Sequence, residues 1–118
     1  MKYLLMLYQD SAFEAEWDAM TDEAKGAVLE QFAAFDEAAK ATGATILGGN
    51  ELGLSHTATT LRAAGDEFTV TDGPFAEVTE HLGGYYEIEA RDLDHAIEVA
   101  KLLPSEKTEI RPIVEYEG

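Results

Sequence analysis

No cysteine occurs among the 118 residues, so disulfide stapling, thiolate zinc ribbons and cysteine nucleophiles are excluded. Basic residues are scarce: 8 Lys and Arg stand against 24 Asp and Glu, for a formal net charge of −16. Phosphate binding depends on clustered Lys and Arg, and here the bases are scattered from Lys2 to Arg111. Direct nucleic-acid binding and docking to anionic lipid are therefore not expected, and most of the acid reads as solvated surface. Long hydrophobic runs are missing too. The apolar start, Tyr3-Leu4-Leu5-Met6-Leu7-Tyr8, gives way after six residues to Gln9 and Asp10. That is shorter than a secretory h-region of about 7–15 residues and far shorter than a membrane span of about 20. A buried strand, and a chain resident in the cytoplasm and off the membrane, are the expectation. GxGxxG, P-loop, HExxH, GxSxG and EF-hand patterns are also absent, so neither an organic cofactor nor a metal is expected.

The remaining composition, 46% apolar residues over a length that suits one core, predicts a single domain across residues 1–118. Residues 2–8 are apolar on both parities, with Leu4, Met6 and Tyr8 on one and Tyr3, Leu5 and Leu7 on the other, as in a strand buried on two faces. A polar, acidic stretch holding Phe13 and Trp17 follows. Thr21 then reads as the cap of a helix whose Ala24, Val28, Phe32, Phe35 and Ala39 form one stripe and which Gly43 ends. Thr45 to Leu52 is a second strand, where Gly48-Gly49 suits a bulge or a close backbone approach. Thr57–Ala63 and Glu67–Asp72 flank Ala64-Gly65-Asp66 as a hairpin. An irregular segment reaches Leu82, a strand runs from Gly84 to Ala90, and Asp92 caps a helix striped by Leu93, Ile97, Ala100 and Leu103 and closed by Pro104. Glu109 to Tyr116 is the last strand.

The order β-α-β, hairpin, β-α-β predicts an α+β fold of the ferredoxin-like kind, with two helices on one face of a mainly antiparallel sheet. The helices can cover only one parity of the first strand. On the other, each large apolar side chain forfeits roughly 1.5–3 kcal/mol if left in water. Joined by neighbours such as Tyr85 or Ile113, these residues make a patch that monomers seldom tolerate. A homodimer packed sheet against sheet is the simplest cover; the alternative is that the hairpin or the 9–20 segment folds over that face.

The densest run of chemistry-bearing residues is Asp72-Gly73-Pro74-Phe75-Ala76-Glu77-Val78-Thr79-Glu80-His81-Leu82-Gly83-Gly84-Tyr85-Tyr86. Asp72 accepts backbone N–H bonds, Gly73 permits a left-handed backbone and Pro74 starts a short helical turn. With residues 74–81 helical, Glu77, Glu80 and His81 share one face and form a proton-shuttling group. The same string is equally an ordinary strand-to-turn junction in an acidic chain. Arg62 and Arg111 sit within strand patterns, where each serves as an ion-pair partner of Asp72 or Glu77 or as a binder of a substrate carboxylate. Tyr85 and Tyr86 put one ring on each sheet face. His56 and His95 are expected at the surface, His95 because a cation opposes the dipole of the first helical turn.

This string, with Asp72-Gly73-Pro74-Phe75-Ala76-Glu77, Glu80 and Leu82-Gly83-Gly84-Tyr85-Tyr86, closely resembles the DGPF branch of YCII-related proteins. The resemblance extends to the opening strand, Gly43, the region of Leu52 and Arg62, Asp92-Leu93-Asp94 and Glu109-Ile110-Arg111-Pro112-Ile113. It implies a dimeric α-β barrel of bacterial cytoplasmic origin. The first-helix histidine that some relatives carry as a supposed base corresponds to Phe32 here, and Thr79 stands where a lysine is usual between the two acids. The resulting expectation is a small organic molecule bound beside Asp72, Glu77, Glu80 and His81. Arg62, Gly73, Pro74, Phe75, Gly84 and Tyr85 complete the site. Asp72 or His81, with Glu77, would act as acid or base in proton transfer or elimination, and a backbone N–H near Gly73 or Gly84 would steady an oxyanion. The competing expectation is a non-enzymatic dimeric module that binds a partner protein or a metabolite.

Overall fold

The computed structural model describes residues 1–75 and 79–116. Strand β1 (Lys2–Asp10) runs directly into helix α1 (Ser11–Ala19), followed by α2 (Asp22–Ala41) and β2 (Thr45–Glu51). A single 3-10 turn at Ser55–Thr57 leads to the hairpin β3 (Thr59–Ala64) and β4 (Glu67–Asp72). Then come β5 (Glu80–Glu89), α3 (Leu93–Ala100) and β6 (Lys107–Pro112). The main sheet has the order β2-β5-β1-β6 with every neighbouring pair antiparallel, which is the ferredoxin-like arrangement. The hairpin forms a separate two-stranded sheet.

The helices begin where side chains can satisfy free N–H groups. Thr21 Oγ1 accepts from Ala24 N at 3.1 Å, Asp10 Oδ1 from Phe13 N at 2.7 Å, and Asp92 Oδ1 from His95 N at 2.8 Å. α2 ends at Gly43, whose φ of +93° is the left-handed conformation that glycine adopts without penalty. Tyr3, Leu5 and Leu7 of β1 are buried with Ile88 of β5 against Phe35 and Ala39 of α2 and Ala96 and Val99 of α3. Leu4, Met6 and Tyr8, on the opposite parity, are only half-buried. Both packed helices therefore serve one face, and the other face carries an apolar strip that they leave uncovered.

The polar, acidic stretch after β1, for which the sequence predicts no element, holds α1, which buries Glu14. Three local expectations are corrected. β5 begins at Glu80 rather than Gly84, so Glu80 and His81 are strand residues and do not share a helical face. The last strand runs over Lys107–Pro112, earlier than expected. Helix α3 turns His95, Ala96 and Val99 inward and leaves Leu93 50% exposed.

His95 is likewise buried, not exposed. Arg91 N–H donates to its Nδ1 at 3.1 Å, which leaves the ring proton on Nε2 for Thr42 Oγ1 at 3.0 Å. Thr42 in turn donates to Ala39 O at 2.7 Å. The ring is an uncharged link between the start of α3 and the end of α2, and an uncharged ring is not opposed by the helix dipole.

Candidate functional site

An irregularity in β5 decides which side chains reach the site. Across β1, Leu7 pairs with Gly84 but Tyr8 pairs with Leu82, so Gly83 is an extra residue. An inserted residue inverts the alternation beyond it. Leu82 and Glu80 consequently lie on the open face with Tyr8, and His81 turns to the helix side with its cross-strand partner Gln9. Without a side chain, Gly83 leaves room for Gln9: a Cβ there would come within 2.5 Å of Gln9 Cδ.

On the helix side His81 meets α1. Its Nε2 lies 3.9 Å from Glu14 Oε1 and 3.4 Å from Ser11 Oγ. Glu14 is 8% exposed, and it accepts from Ser55 N at 2.6 Å and from Ser55 Oγ at 2.5 Å. Burial alone would raise its pKa. The hydroxyl and amide of Ser55, the nearby imidazole and the Gln9 side chain outweigh that and hold Glu14 below the usual value of 4.5. The carboxylate and the serine hydroxyl converge on the same imidazole nitrogen, so the group is not a serine-nucleophile relay, in which they occupy opposite nitrogens. It can hold and move a proton.

Beside this pair opens a cleft of about 900 Å³. Trp17, Phe32, Leu52 and Tyr86 give it apolar wall, and Gln9, Asn50, Glu80 and Tyr85 give it polar groups. Its volume falls in the range of roughly 300–1,000 Å³ usual for small-molecule sites. Asn50 Nδ2 donates to the Tyr85 hydroxyl at 2.9 Å, and the Tyr86 ring lies 4.9 Å from that of Phe35. Burial, then the charge of Asp36, raises the Tyr86 pKa, so its hydroxyl stays protonated. Neither His81 nor Glu14 lines the cleft, but Gln9, the cross-strand partner of His81, and Glu80, its chain neighbour, do.

The residues expected to act together are divided. Glu80, Gly84 and Tyr85 line the cleft, and His81 adjoins it. Arg62, Asp72, Gly73, Pro74 and Phe75 belong to the hairpin and its exit, and none of them lines the cleft. Glu77 lies outside the described residues. Asp72 is exposed. Gly73, at φ +97°, donates its N–H to Ala58 O at 2.7 Å and accepts from Thr60 Oγ1 at 2.7 Å, so that donor is already engaged. Instead of pairing with Asp72, Arg62 donates to Phe75 O at 3.0 Å and lies over its ring at 5.2 Å. Arg111 pairs with Glu109 at 3.4 Å. These contacts close the hairpin and the sheet edge.

Glu14, Ser11 and Ser55 were not singled out by sequence reasoning. The available signal was Asp10 as an N-cap with Phe13 and Trp17 four residues apart, which places one apolar helical face in the acidic stretch. Among the described residues no three His, Asp or Glu side chains gather as a metal site, and no helix is long and apolar enough to cross a membrane.

Comparison with known sequences agrees with this architecture. An uncharacterized protein of Rhizobium meliloti (strain 1021) is 34% identical over 122 residues, an alignment that covers 98% of this chain and 94% of the relative. Residues 1–117 match the YCII-related domain as a whole. With both the strand order and nearly every residue accounted for, the chain belongs to the family of YCII-related domains.

Proposed function

We propose that this chain is a homodimeric small-molecule-binding protein of the DGPF branch of its family, working in a bacterial cytoplasm and moving protons without an organic cofactor. The observation that carries the reading is the 900 Å³ cleft, whose lining residue Gln9 is the cross-strand partner of His81 in the Glu14–His81 pair. Glu14, held ionised by Ser55, orients the imidazole, so His81 can exchange a proton with a ligand that reaches it past Gln9. The dimer rests on the strip of Leu4, Met6 and Tyr8, which the chain's own packed helices leave half-buried.

The exposed position of Asp72, away from the cleft, favours a second reading, a non-enzymatic module that binds a metabolite or a partner protein. One experiment separates the two. A small molecule retained through gentle purification is identified by mass spectrometry, then incubated with the protein in D2O while its carbon-bound protons are followed by NMR. Proton transfer gives exchange that His81→Ala abolishes while the molecule still binds. Binding without exchange by the unaltered protein favours the module, and a purified protein whose cleft perturbs with no small molecule offered from a metabolite extract overturns both ligand readings.

A further inference from the structure

We infer that the cleft selects small organic cations, molecules with an aromatic or apolar body and an ammonium group, and turns carboxylates away; this rests on the small-molecule reading of the same cleft. The lining carries the acids Asp10, Glu16, Glu51, Glu80 and Glu106, and among the described residues its one base is Lys107. That base is already engaged. Lys107 Nζ is bound to Glu80 Oε1, so its charge is matched within the lining itself. The Glu80–Lys107 pair cancels in charge, which leaves Asp10, Glu16, Glu51 and Glu106 as the net charge of the lining, and among the described residues Glu80 Oε2 has no hydrogen-bond partner. Four further carboxylates around one cleft sum to a negative field across its mouth, and that field is weakened by salt.

The apolar part of the wall has the matching character. Phe13, Trp17, Phe32 and Tyr85 present aromatic surface, whose negative ring faces attract cations. One such contact already exists, since Lys25 Nζ lies 5.5 Å from the Trp17 ring centroid. An organic anion would lose hydration and gain no free base. An organic cation would exchange water for ring faces and for a field that the chain already supplies.

Trp17 is the sole tryptophan and lines the cleft, so its emission reports occupancy of this site in the intact protein. Three probes of similar size are titrated: benzyltrimethylammonium, benzyl alcohol and phenylacetate. The expected result is saturable binding of the cation at least about tenfold tighter than that of phenylacetate, with benzyl alcohol between them and the cation's advantage shrinking as salt is added. In Glu80→Gln the ratio of cation to alcohol affinity should fall about tenfold. Because that ratio is internal to one protein, a loss of folded fraction does not imitate it. Equal binding of all three probes, or tighter binding of phenylacetate, overturns the charge selection and leaves the small-molecule reading standing. No saturable response to any of the three overturns both.

Discussion

A carboxylate that is nearly enclosed and yet held below its ordinary pKa must be stabilised by donors that outweigh its lost hydration, and at Glu14 those donors are the amide and hydroxyl of Ser55. The sign of the pH effect follows from the direction of the shift. A carboxyl whose folded pKa lies below its unfolded value near 4.5 adds stability above that value and loses the contribution as pH falls through the folded pKa. Glu14→Gln should therefore cost roughly 1–3 kcal/mol at pH 7. The gap from the unaltered protein should narrow below about pH 4, as read by urea unfolding at the two pH values; a gap independent of pH would show that the ionised form is not what Ser55 holds. His95 makes a different prediction. His95→Phe keeps the volume of a buried ring but strands the Arg91 N–H, so a loss of about 1–3 kcal/mol is expected. Neither role was legible from composition. Glu14 is one acid among many, and the exposure expected for His95 assumed a charged ring, whereas the bonds from Arg91 and to Thr42 require an uncharged one.

At the scale of elements, glycines place the candidate site more than any charged residue does. The extra residue at Gly83 turns His81 toward Glu14, an alternation the sequence does not reveal because its strand pattern begins only at Gly84. Gly49 answers the other expectation, the close backbone approach in β2. A Cβ there would lie 2.7 Å from Tyr85 O and 2.8 Å from Tyr86 Cδ1, whereas one at Gly48 would meet nothing within 4 Å. The register shift between Ile46 and Gly48 supplies the expected bulge beside it. Gly49→Ala should then destabilise by roughly 1–3 kcal/mol and disturb the Tyr86 wall of the cleft. Gly48→Ala should change stability by about 0.5 kcal/mol or less. Matched chemical denaturation of the two variants checks this, and equal losses would mean that β2 does not press on β5 at Gly49. The hairpin boundaries were readable because the glycine turn and the alternating residues agree. Its separation from the main sheet was not, since local periodicity carries no information about which strands pair.

At the scale of the molecule, the ferredoxin-like class was legible in the order of the elements, and the one-sided packing of the helices in a β1 apolar on both parities, of which only one meets Phe35, Ala39 and Val99. The charges of the open face were not, because the bases looked scattered along the chain. Pairing gathers them: Glu87 of β5, Leu4 of β1 and Arg111 of β6 lie in one row across that face. In the proposed dimer, a two-fold axis along β1 would set each Glu87 over the partner's Arg111, so the face complements its own copy around the strip of Leu4, Met6 and Tyr8. The geometry predicts a specific pattern. Glu87→Arg alone and Arg111→Glu alone each place two like-charged pairs in the interface, at a cost of several kcal/mol, and should sediment as monomers. An equimolar mixture of the two variants restores both opposite-charge pairs and should sediment as a dimer. Single variants that remain dimeric would show that these side chains do not face each other, and variants that stay monomeric when mixed would require a different axis across the same sheet.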